Sequence, residues 1–208
     1  MCSYPNFEGS VLILLIQITS LKTTALLISC QYRKQNLVSD LLEYKAQLQG
    51  KKLNGVDAVH LTIGNDLLIV NKEQTILNIL KKLENHGVSL NEIDETQKQR
   101  RPLHYCASSG KVEVAKYLLK TNDNIVDQID GEGKTALCLA LSEKPDARMV
   151  ELLLKKGAST SMVHEERLDS MPSKMAWALV DQHERPQPNG RKGSQVSQRG
   201  LWKLFGFG

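Results

Sequence analysis

Apolar residues recur along residues 101–163 in two nearly matching blocks. The first, RPLHYCASSGKVEVAKYLLK, covers residues 101–120, and the second, TALCLALSEKPDARMVELLLKKGAS, covers 135–159. Each opens with a short, largely apolar run, at 103–107 and 136–141, made mostly of small and unbranched residues. A break follows, at Gly110 in one block and at Lys144-Pro145 in the other. Beyond it, apolar positions return at near-helical spacing: Val112, Val114, Ala115, Leu118 and Leu119, then Met149, Val150, Leu152, Leu153 and Leu154. Pro102 suits a helix start and Gly157 a helix end. His104 and Cys138 hold the same place 34 residues apart, a period that predicts stacked helix–turn–helix repeats.

Weaker copies lie upstream. Residues 24–30 (TALLISC) with Leu37, Val38, Leu41 and Leu42 give another helix pair, and Asp57-Ala58-Val59-His60-Leu61 opens the next. Residues 51–55 form the connecting turn between them. The pair begun by His60 closes with Ile76, Leu77, Ile79, Leu80 and Leu83, but it is nine residues too long between its helices. Residues 65–72 (NDLLIVNK) are the expected insertion, and 95–100 (ETQKQR) a polar turn lengthened by two residues. Past Ala158 the pattern decays, and 171–180 (MPSKMAWALV) predict a capping helix with Met175, Ala176, Leu179 and Val180 inward.

The blocks resemble the ankyrin repeat over residues 94–163. The family pattern runs D-x-x-G-x-T-P-L-H-x-A, then G, then V-x-x-L-L and G-A. Asp130, Gly133, Thr135, Leu137, Leu153, Leu154, Gly157 and Ala158 match it in one copy. Pro102, Leu103, His104, Ala107, Gly110, Val114, Leu118 and Leu119 match in the other. Arg101 stands where the family has Thr, and Cys138 where it has His, so the Thr–His pair of the turn is split between copies. The resemblance implies an all-α solenoid of stacked helix–turn–helix repeats with short hairpin turns, degenerate at the N-terminus. The expected layout is an apolar segment at 1–22, repeats at 23–55, 56–97, 98–131 and 132–166, a capping helix at 167–184 and a disordered basic tail at 185–208.

Composition sharpens this in three places. Only 5% of residues are aromatic, as in a core of Leu, Ile, Val and Ala. The four cysteines are far apart with no CxxC, which favours a reducing, cytoplasmic setting. The net charge of +4 belongs to the tail, where Arg185, Arg191, Lys192, Arg199 and Lys203 face no acids. A body near neutrality gives no argument for nucleic-acid binding. Residues 11–18 (VLILLIQI) lack the flanking basic residues of a signal peptide and are short for a membrane span; a buried cover for the first repeat is the expectation.

No catalytic, cofactor or metal motif stands out. His104 and Cys106 are two apart on a helix, so their side chains diverge and cannot share a metal. His104 reads as a turn-stabilising residue. Function is therefore expected from surface: a non-enzymatic scaffold binding a protein partner through the concave face and turn tips. The resemblance implies contacts at Arg100, Ser108, Ser109, Gly131, Glu132, Lys134, Ser142 and Glu143. A second candidate is the terminal LWKLFGFG, with Trp202, Phe205 and Phe207 as aromatic anchors. Membrane contact through residues 11–18 or this tail is a lesser alternative. Two other functions remain open at the level of sequence: a secreted ankyrin effector of an intracellular bacterium acting in host cytoplasm, and a cysteine hydrolase using Cys106 or Cys138.

Overall fold

The computed structural model describes residues 19–44, 52–64, 73–121, 125–142, 145–161, 163 and 171–184, with backbone alone at 19–24, 171–175, 182 and 184. The expectations for residues 11–18, 65–72 and 185–208 lie outside these. Nine helices run in order among the described residues: α1 (Thr19–Gln31), α2 (Gln35–Glu43), α3 (Ala58–Gly64), α4 (Glu73–Asn85), α5 (Pro102–Ser109), α6 (Val112–Thr121), α7 (Ala136–Ser142), α8 (Ala147–Lys155) and α9 (Met171–Glu184). The first helices of the pairs, α1, α3, α5 and α7, lie side by side as one layer. The second helices, α2, α4, α6 and α8, form another layer on it, and α9 closes the end against α7 and α8. This is an all-α solenoid.

The two layers differ because their sequences do. First-layer helices are wedged between neighbours on several sides, so α7 buries Ala136, Leu137, Leu139, Ala140 and Leu141 within only seven residues. Second-layer helices are amphipathic: α8 buries Met149, Val150, Leu153 and Leu154 and turns Arg148 and Lys155 to solvent. The stripes merge into one core running from Leu26 to Val180. Truncating a fully buried Leu80, Leu119 or Leu137 to Ala costs about 2–5 kcal/mol.

α1 starts earlier than the repeat pattern required, at Thr19 rather than near Thr24, because residues 19–31 contain no Gly or Pro to stop it. In two of the pairs the turn between the helices is made by a left-handed residue. Gly110 supplies it after α5 (φ +70°), with its N–H donating to the Cys106 carbonyl. In the first pair Arg33 takes that conformation (φ +53°), which is costly for a residue with a Cβ. Its guanidinium offsets the strain: Nε donates to the Thr62 carbonyl at 2.9 Å and Nη2 to the Ile63 carbonyl at 3.2 Å, capping the C-terminal end of α3.

Candidate interaction face

Three turns project from one edge of the helix layers and stack on one another like fingers. The first spans residues 52–57. Asn54 (φ +53°) and Gly55 (φ +81°) make a two-residue hairpin, closed by Leu53 and Val56 exchanging both backbone hydrogen bonds. The second finger, residues 94–101, and the third, 130–135, are each organised by an aspartate. Asp130 Oδ1 accepts the N–H groups of Glu132 and Lys134, both at 2.9 Å. Asp94 Oδ1 accepts the N–H and hydroxyl of Thr96 at 3.0 and 2.6 Å. The Asp130 N–H reaches the Lys134 carbonyl, whereas the Asp94 N–H reaches Arg100 two residues further on, the extra length expected from the sequence.

Successive fingers are joined through backbone and charge. Glu95 N–H donates to the Gly55 carbonyl at 2.8 Å, and Gly131 N–H to the Lys98 carbonyl at 2.7 Å. Lys52 Nζ meets the Ile93 carbonyl and the Glu95 carboxylate. Arg100 Nε meets Asp130 Oδ2 at 3.3 Å.

The finger-to-helix junction is locked differently in each repeat. His104 Nδ1 accepts the Arg101 N–H at 3.0 Å, and His104 Nε2–H donates at 2.8 Å to the carbonyl of Gln128, two residues before the following finger. Both bonds require a neutral imidazole, and burial holds its pKa below the usual value. Thr135 Oγ1 accepts the Cys138 N–H at 3.4 Å and donates to Cys138 Sγ. Sequence reading missed the third version. Asp57 sits in the Thr place and its Oδ1 takes both the His60 N–H and Nδ1, at 2.9 and 2.8 Å. The signal was Asp followed three places on by His. His60 stacks edge-on against Tyr105 in the next repeat, ring centroids 5.2 Å apart, and Tyr105 donates to Asp94 Oδ2 at 2.7 Å.

The expected contact residues fall into two groups separated by about one helix length, roughly 12 Å for eight residues. At the finger tip Gly131 and Glu132 are exposed, and half-buried Lys134 lies 3.6 Å from the Glu132 carboxylate. At the far ends of α5 and α7, Ser108, Ser109 and Ser142 are half-buried; Ser108 Oγ donates to the Tyr105 carbonyl. Arg100 requires correction: it is 6% exposed, its charge engaged by Asp130 inside the stack, and it is no part of an outward face. Glu143, Trp202, Phe205 and Phe207 lie outside the described residues. Sequence reading also passed over Ile93 and Ile129, 39% and 56% exposed, each directly before its finger aspartate. Aligning Asp94 with Asp130 would have found them.

Residues 67–163 match the family model of ankyrin repeats, in three copies. Residues 67–163 carry ankyrin repeats. The chain is 36% identical over 94 residues to the 26S proteasome non-ATPase regulatory subunit 10 of Dictyostelium discoideum, covering 45% of this chain and 39% of that protein. It is 41% identical over 71 residues to the phosphate system positive regulatory protein PHO81 of Saccharomyces cerevisiae, covering 34% of this chain and 6% of that one. The chain thus matches well under half the length of either relative.

Other chemistry in the described helical array is sparse. Cys106 is fully buried and burial pushes its thiol pKa far up, while Cys30 is pushed up to about 12. A nucleophilic thiol needs the opposite shift. Cys138 is half-buried against Thr135. No group of three metal-ligating side chains exists among the described residues, nor any helix long and apolar enough to cross a membrane. On the second-helix side, α4, α6 and α8 frame a shallow hollow of about 340 Å³ between Glu73, Glu113, Lys116, Arg148, Glu151 and Lys155. Glu73 Oε2 there accepts the N–H groups of Glu113 and Val114, capping α6 from the preceding repeat.

Proposed function

We propose that this chain is a non-enzymatic scaffold of the cytoplasm that binds a protein partner across its finger tips and first-layer helices. One observation carries the reading. Fingers 2 and 3 are fixed to each other by the buried Arg100–Asp130 pair and the Gly131–Lys98 backbone bond, yet carry Ile93, Ile129, Glu132 and Lys134 outward. A rigid surface displaying isolated apolar side chains among opposite charges suits association at low ordering cost. The mixed-charge character of this face favours a protein over nucleic acid. Both relatives are named as regulatory proteins, which agrees with a binding role. Cys30 and Cys106 are buried free thiols, in keeping with a reducing compartment. The secreted-effector reading rests on residues 185–208, outside the described residues, and nothing among the described ones favours it.

The test compares partner capture by the wild type, an Ile129→Asp/Glu132→Lys/Lys134→Glu variant and a Glu151→Lys/Lys155→Glu variant from the opposite side. Loss of the captured set with the first variant alone supports the face. Equal capture by all three rejects it.

A further inference from the structure

The segment between α4 and the second finger holds a serine that the binding face does not use. Gly87, at φ +79°, turns the chain out of α4, and Ser89 follows on an exposed stretch without helix or strand. Its hydroxyl oxygen accepts one long hydrogen bond from the Asn91 N–H, 3.4 Å. Arg101 Nη1 donates to the Asn91 carbonyl at 2.6 Å, anchoring the loop to the finger so that it presents a defined shape. Glu92, three places after Ser89, and Glu95, six places after it, are both exposed, while Asp94 is turned inward by Thr96 and Tyr105. Across the whole chain, Ser89 is the sole serine or threonine with an acidic residue three positions downstream.

We propose that Ser89 is a phosphorylation site for a serine/threonine kinase that selects acidic sequence on the C-terminal side of its target. Kinases discriminate substrates by charge pattern, and an outward Glu92 at fixed spacing offers a basic kinase pocket a charge-assisted contact. In the reaction the kinase's base takes the hydroxyl proton. Ser89 Oγ attacks the γ-phosphorus of ATP, and the bond from that phosphorus to the bridging oxygen breaks. ADP departs with the bond's electron pair. The product gains about −1.5 to −2 of charge on a loop that already carries Glu92 and Glu95 and leads directly to Ile93. Phosphorylation would therefore turn one flank of the finger face strongly anionic and shift its preference away from acidic partner surfaces. This consequence rests on the proposed binding role, whereas the modification itself does not.

The purified full chain is incubated with ATP and an acid-directed serine/threonine kinase, and phosphate is located by tandem mass spectrometry. Wild type should take one phosphate, on Ser89; Ser89→Ala should take none, while Ser159→Ala behaves as wild type. Glu92→Gln, which leaves the acceptor in place, should lower kcat/KM about tenfold, the worth of one charge-assisted contact. Both substitutions fall on exposed positions, and circular dichroism confirms that each variant is folded. Labelling that persists in Ser89→Ala, or a Glu92→Gln rate equal to wild type, overturns the proposal. Failure of the partner-capture test with Ser89 labelled as expected would reject the binding face and leave the site standing.

Discussion

Arg100 and Asp130 lie thirty residues apart in sequence and 3.3 Å apart in space, with side chains 7% and 0% exposed. The pair spans two repeats. Both carboxylate oxygens of Asp130 are engaged: Oδ1 holds two backbone N–H groups of its own finger and Oδ2 receives Arg100. Removing either partner leaves the other charge buried. Arg100→Met and Asp130→Asn should each lower unfolding free energy by about 3 kcal/mol or more. Asp130→Asn should cost more, because it also weakens the finger's backbone acceptor. Urea unfolding with an unchanged m-value checks this; a loss below about 1 kcal/mol would mean the pair is not desolvated.

His104 makes stability depend on pH in a definite direction. Burial depresses its folded pKa below 6.5, so the unfolded chain binds the proton first on acidification. Its contribution is fully present above about pH 6.5 and is lost as pH falls from there toward the folded pKa. Protonation would place a donor at Nδ1 against the Arg101 N–H. His104→Gln should therefore flatten the stability profile on the acid side of about pH 6.5 while lowering stability at pH 8. A slope in that window unchanged by the substitution would assign it to another group.

Periodicity made the helix pairs legible, because short apolar runs and amphipathic stripes are local patterns. His104 was legible for the same reason, as part of a motif within one repeat. Arg100 was not. Its spacing from the motif placed it at the rim, and only the path of the next finger, two residues shorter, brings Asp130 against it. Asp57 and His60 were readable as a residue pair yet not as a lock, since a carboxylate replacing Thr is a chemical rather than a pattern equivalence. Arg33 was beyond reading: nothing local to residues 24–42 announces that an arginine will occupy the left-handed turn and cap a helix one repeat away.

Burial predicts thiol reactivity residue by residue. Cys30 and Cys106 should resist a thiol reagent in the native array and react only on global unfolding, at a common rate. Half-buried Cys138 should label first of the three. Peptide mapping after timed labelling gives the order. Rapid native labelling of Cys106 would reopen a catalytic reading that its surroundings otherwise disfavour.

Two glycines in one turn should fail for different reasons when replaced by alanine. Gly133 sits at φ +76° with nothing within 4 Å of an added Cβ, so Gly133→Ala strains only its own backbone, by about 1 kcal/mol. For Gly131 no positive φ is at issue; its added Cβ would stand 2.9 Å from the Gln97 carbonyl oxygen and 3.0 Å from that of Lys98. Those are backbone atoms of the neighbouring finger and cannot swing aside. Gly131→Ala should push fingers 2 and 3 apart, break the bond from the residue-131 N–H to Lys98, and cost about 1–3 kcal/mol. Hydrogen exchange separates the cases: the residue-131 amide should lose protection in Gly131→Ala, beyond what its lower stability explains, and keep it in Gly133→Ala. Equal protection in both would mean that the fingers are not in contact, and the rigid face built on that contact would go with it.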